Sequence, residues 1–207
     1  MKRFKFQLDT NQADWAFAPV RSKPDYIRLL VHALKLMLSP TTVPDTMMRA
    51  ELVLTISKMS RLMFISEKKH VSVLFPFVVT EGPTGLCFSS ANHPNVDNQT
   101  TSDLLALLNT PSFSSPDAYR FIEPFVDACE TDSRIWALFL DLLTCEDGYV
   151  RYDHDAKNSS GLRHPLHHID VFYSAGVTFK VGLSSALHSA GFEDLLDLTT
   201  DCRFLRD

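Results

Sequence analysis

Between Tyr149 and Leu183 the chain runs through three short stretches of alternating character, separated by turn-forming residues. Tyr149–His154 and His167–Tyr173 flank the polar loop Lys157-Asn-Ser-Ser-Gly161. Ser174-Ala-Gly176 then leads into Val177–Leu183. Three strands on connections this short predict an antiparallel meander, because a parallel return needs a long crossover. Alternation assigns faces: Val150, Tyr152 and His154 share one side of the first strand, with Arg151, Asp153 and Asp155 on the other. On the second strand His168 and Asp170 share a side, opposite His167, Ile169 and Val171.

The same stretch concentrates the chain's chemistry. Four of the eight histidines, His154, His164, His167 and His168, fall here among Asp153, Asp155 and Asp170. Two reactive arrangements fit. In one, His154, His164, His168 and Asp170 hold a divalent metal, since imidazole with an added carboxylate suits zinc, nickel, manganese or iron. In the other, metal-free arrangement, His168 acts as general base with Asp170 and Asp153, and Arg151, Arg163 or Lys180 steadies an anionic transition state. That chemistry suits RNA, whose 2′-hydroxyl is an internal nucleophile. The structural alternative is that these histidines cap strand ends and hydrogen-bond Asp153 and Asp170. His32, His70, His93 and His188 stand apart and read as structural or surface residues.

For the rest of the chain, Pro24 to about Leu38 predicts a helix with Ile27, Leu30, Val31, Leu34 and Met37 on its buried stripe. A second helix is expected after Pro44-Asp45, with the stripe Met48, Leu52, Ile56, Met59 and Met63. Val71–Val79 reads as a strand that Pro76 must end or push to an edge, and Leu86–Ser90 as its return. A polar loop precedes a short helix at Asp103–Leu108; Ser115-Pro116 opens another helix, divided at Pro124. Ile135–Leu143 forms an apolar helix, and a further one lies near Gly191–Leu198. The expectation is one α+β domain over residues 1–207: a helical N-terminal half, then a mostly antiparallel sheet with covering helices, and a possible internal boundary near 91–101.

The balance of 12 Lys and Arg against 6 Asp and Glu in residues 1–70 reverses to 8 against 19 in the remainder. A basic face toward an anionic partner, RNA or DNA, follows as readily as two solvated surfaces of opposite sign. Cys87, Cys129, Cys145 and Cys202 form no C-x-x-C pair, which disfavours a cysteine zinc site and a disulfide scaffold. The basic start lacks an apolar signal core and no run is long enough to span a membrane, so the expectation is a cytoplasmic protein without a membrane partner. P-loop, G-x-G-x-x-G, H-E-x-x-H and G-x-S-x-G motifs are all missing.

Arg151-Tyr152-Asp153 followed by His164-Pro165-x-x-His167 resembles a signature of small uncharacterised bacterial proteins, some encoded near mobile elements and anti-phage genes. It is also similar to a pattern in some ribonuclease toxins. The resemblance covers Gly148–Phe204. It implies an effector of a defence or toxin module that cleaves nucleic acid, with a non-catalytic protein-binding subunit as the alternative. Lys180, ten residues after Asp170, resembles the carboxylate-and-lysine core of restriction-type nucleases, with Thr178 where that core has an acidic residue.

Overall fold

The computed structural model describes residues 1–83, 85–111, 126, 133–173 and 178–202. The chain opens with β1 (Lys2–Leu8), in which Phe4, Phe6 and Leu8 alternate with Arg3, Lys5 and Gln7. A reciprocal capping box, Asp9 Oδ1 accepting from the Gln12 amide at 2.8 Å and Gln12 Oε1 from the Asp9 amide at 3.0 Å, starts α1 (Thr10–Ala16). Ser22 caps α2 (Lys23–Leu38), with Pro24 in the first turn, and the expected stripe from Ile27 to Met37 is buried.

Residues 44–65 correct the expected architecture. The second helix does not form: a single 3-10 turn at Asp45–Met47 leads into β2 (Ala50–Ile56) and β3 (Arg61–Ile65), a hairpin paired Leu52 to Phe64 and Val53 to Met63. The helical N-terminal half is therefore wrong, and the N-terminal part is rich in strands. The reason is arithmetic. Met48, Leu52 and Ile56 recur every four residues, which fits a helical stripe and also an even-numbered strand face. Leu52 and Leu54 end up in the main core, whereas Met63 lies on the opposite face, so the methionine stripe is never assembled.

β4 (Lys69–Leu74) continues the meander until Phe75-Pro76-Phe77, where proline lacks the ladder donor. The excursion that follows contains the separate hairpin β5 (Val78–Gly82) and β6 (Gly85–Ser89), then α3 (Asn98–Leu108) and α4 (Ser133–Thr144). Val96 of the 91–101 stretch and Leu104 of α3 are buried in the same core as α2. The helix expected from Ser115-Pro116 past Pro124, and the Ser174–Gly176 turn, lie outside the described residues.

The chain then re-enters the sheet as β7 (Val150–His154), β8 (His167–Val171) and β9 (Phe179–Leu183), and ends with α5 (Ser189–Leu195). One seven-stranded antiparallel sheet results, ordered β1-β2-β3-β4-β7-β8-β9, in which β7 pairs directly with β4. One face carries the main core with α2, α3 and α4; on the other, Phe192 of α5 packs on His70 with ring centres 5.4 Å apart. No helix among the described residues is long and apolar enough to cross a membrane.

Candidate functional site

Register places one row of side chains straight across the sheet: Phe6, Leu52, Phe64, Val71, Arg151, Asp170 and Lys180. Its first four members are apolar, and Leu52, Phe64 and Val71 are buried in the main core. Its last three are charged. The adjoining row runs Lys69, Asp153, His168 and Gly182. One sheet face thus changes from hydrophobic core to a charged ladder at the β4–β7 seam.

Within the ladder Arg151 donates through Nε to Asp153 Oδ2 at 2.6 Å and through Nη2 to Asp170 Oδ2. Its Nη1 donates to the Tyr149 hydroxyl at 3.3 Å. Lys180 Nζ lies 2.8 Å from Asp170 Oδ1 and 3.1 Å from His168 Nε2. His168 Nδ1 sits 2.9 Å from the Pro165 carbonyl, which can only accept, so Nδ1 carries the proton and Nε2 presents its lone pair to Lys180. A bridge between Ser160 and His164 folds the loop back, and His164 stands edge-on to His168 with ring centres 4.7 Å apart. His168 is consequently only 1% exposed, whereas the side chains of Arg151 and Lys180 are 23% and 35% exposed.

The expected site residues divide into three groups. Arg151, Asp153, His168, Asp170 and Lys180 converge. His164 borders them, its Nε2 3.8 Å from Asp155 Oδ2. His154 is placed on the other face, where its ring neighbours His167 at 4.8 Å. Arg163 is exposed in the loop, so neither joins the ladder.

The metal-ligand set is therefore not His154, His164, His168 and Asp170. Asp153, His168 and Asp170 do offer ligand atoms within 4.8 Å of one another. Yet Arg151 holds Oδ2 of both carboxylates, and Lys180 holds the remaining Asp170 oxygen and the His168 lone pair. The ladder's donors suit a metal, but as folded it carries its own cations, and an ion would have to displace them.

Two shallow clefts of about 270 and 350 Å³ meet at Arg151 and share Pro19 and Arg21 as walls. The first reaches Asp170 and Thr178; the second adds Lys68, Lys69, Asp153 and Asp155. Burial lowers the Lys69 pKa, Asp153 opposes that shift and Arg151 reinforces it. Arg151 is shifted upward: burial alone would lower it, but Tyr149, Asp153 and Asp170 together outweigh that. Arg21, Lys68 and Lys69 were not legible as site residues individually. Their signal was the basic balance of residues 1–70, and only the β4–β7 pairing brings it beside the C-terminal cluster.

No protein-family model, curated protein or solved structure matches the chain.

Proposed function

We propose that the chain is a nucleic-acid-cleaving effector of a bacterial defence or toxin module, acting on RNA without a resident metal. The observation that carries this reading is that Arg151, paired with Asp153 and joined through Asp170 to Lys180, stands where two clefts with basic walls meet. The resemblance of Arg151–Asp153 and His164–His167 to the bacterial signature supplies the setting. A phosphodiester in the clefts meets Arg21, Lys68 and Lys69 along its backbone. The Asp153 carboxylate accepts the 2′-hydroxyl proton as that oxygen attacks phosphorus. Arg151 and Lys180 neutralise the charge gathering on the phosphoryl oxygens. The bond from phosphorus to the 5′-oxygen breaks, Lys180 supplies the leaving group's proton, and a 2′,3′-cyclic phosphate and a 5′-hydroxyl result. Buried His168 does not touch substrate; it is a positioning residue for the Lys180 ammonium.

The test is cleavage of labelled RNA and DNA by the purified chain, with and without chelator. RNA cleavage that survives chelation and ends in a cyclic phosphate supports the reading; cleavage lost on chelation overturns its metal-free form. A folded protein that cuts neither polymer leaves the second reading, a non-catalytic protein-binding subunit. That reading is favoured by the closure of His168 and the engagement of both Asp170 oxygens.

A further inference from the structure

On the sheet face opposite the ladder, His154 and His167 stand directly across from each other on β7 and β8, with ring centres 4.8 Å apart and planes inclined by 32°. We infer that this pair is a two-histidine chelate for a divalent transition metal of the copper, nickel or zinc class. The spacing is the first support. A metal about 2.0–2.1 Å from a ring nitrogen lies about 3.2 Å from that ring's centre, so a tetrahedral angle separates two such centres by about 5 Å. The rings already stand at that separation without backbone movement.

The second support is orientation. The Tyr152 hydroxyl lies 2.9 Å from His167 Nδ1. With Nδ1–H donating to the Tyr152 oxygen, the ring is fixed and its Nε2 lone pair is left for a metal, as with the outer partner of a metal-binding histidine. Tyr152 is itself held, buried and packed against the His70 ring at 5.1 Å between centres. A third support is that, among the described residues, neither ring is in an ion pair with a carboxylate. The ladder's carboxylates and His168 lone pair are taken up by Arg151 and Lys180, but the strand neighbours on this face are Val150, Ile169, Val171, Val181 and Leu183. Both histidines are half-buried, which leaves the remaining coordination positions to water. The chelate shares no residue with the charged ladder, and its test reads metal binding rather than RNA cleavage, while His154 also lines the second cleft.

Isothermal titration with Zn²⁺, Ni²⁺ and Cu²⁺, one at a time, tests the inference on the full chain. The expected result is one ion per chain, with Cu²⁺ tightest. His154→Ala and His167→Ala should each weaken binding at least about tenfold. Tyr152→Phe, which keeps the ring but removes the hydroxyl, should weaken it about tenfold, and His164→Ala should leave it unchanged. The Cu²⁺ spectrum by electron paramagnetic resonance should show splitting from two imidazole nitrogens, a signature that a merely structural role would not produce. Circular dichroism confirms that each variant is folded. Binding that persists in both alanine variants, or its absence from the wild type at about 100 µM ion, overturns the chelate.

Discussion

The ring of Pro165 closes over Gly182, so tightly that a Cβ at Gly182 would stand 2.9 Å from Pro165 Cγ. Gly182 is also the register partner of His168. The missing side chain lets the loop settle on the sheet, and the settled loop brings the Pro165 carbonyl to His168 Nδ1. Gly182→Ala should cost about 1 kcal/mol, near the lower limit for overpacking, because a ring at an edge strand can shift. Urea denaturation measures the loss. Faster solvent exchange of the His168 Nδ1 proton would show where the loss arises, and an unchanged proton would sink this account.

Arg151 joins two carboxylates from different strands with different nitrogens of one guanidinium. A lysine has one donor centre and cannot reproduce that fork. Arg151→Lys should therefore destabilise by about 2 kcal/mol, and Arg151→Met by about 3, since Asp170 is buried and keeps only Lys180. An Arg151→Lys protein that melts with the wild type, while Arg151→Met melts earlier, would mean that charge alone, not the fork, holds the ladder.

The ladder's faces were legible in the sequence because alternation from Tyr149 to His154 and from His167 to Tyr173 is a property of single strands. The pairing of His154 with His167 across strands was not, because register is set by where a loop closes, here by the Ser160–His164 bridge. The fold was misread where one spacing serves two periods. Leu52 and Ile56 suit a helix as well as a strand, and only β-branched Val53, Thr55 and Ile56 favoured the strand locally. The opening strand carried a plain alternation, Phe4, Phe6, Leu8, hidden among basic residues. Lys69 opposite Asp153 is a contact across 84 residues of sequence, created by an excursion that no local pattern announces.

His70 should make stability depend on pH. Burial lowers its pKa from 6.5; the Leu187 carbonyl and the Lys69 backbone oppose that shift, while nearby His188 adds to it. A group held neutral in the fold stabilises fully above the unfolded value, and that stability is lost as pH falls below about 6.5, because the unfolded chain takes the proton first. His32, lowered by burial and by Arg28 and Lys35, acts in the same direction. The denaturation midpoint should fall between about pH 7.5 and pH 5.5, and His70→Phe should shrink that difference without abolishing it. An identical pH difference in His70→Phe would rule His70 out as a source.

The sharpest functional comparison is Lys180 against His168. His168 is 1% exposed and both of its ring nitrogens are engaged, so His168→Ala strands the Pro165 carbonyl, takes one of two partners from the Lys180 ammonium and leaves a cavity, and should cost about 2–3 kcal/mol. Lost activity in that variant would not separate a catalytic role from a structural one. Lys180 sits on an edge strand with its side chain 35% exposed, so Lys180→Met should cost about 1 kcal/mol. If the ladder cleaves RNA as proposed, Lys180→Met should lower the rate by about a hundredfold or more, while the melting temperature moves only a few degrees. Lys180→Arg keeps the charge but cannot lose a proton to the leaving oxygen, so it should restore RNA affinity, measured by fluorescence anisotropy, but not turnover. A Lys180→Met protein that cleaves at the wild-type rate would remove Lys180 from the reaction and overturn its role as the acid.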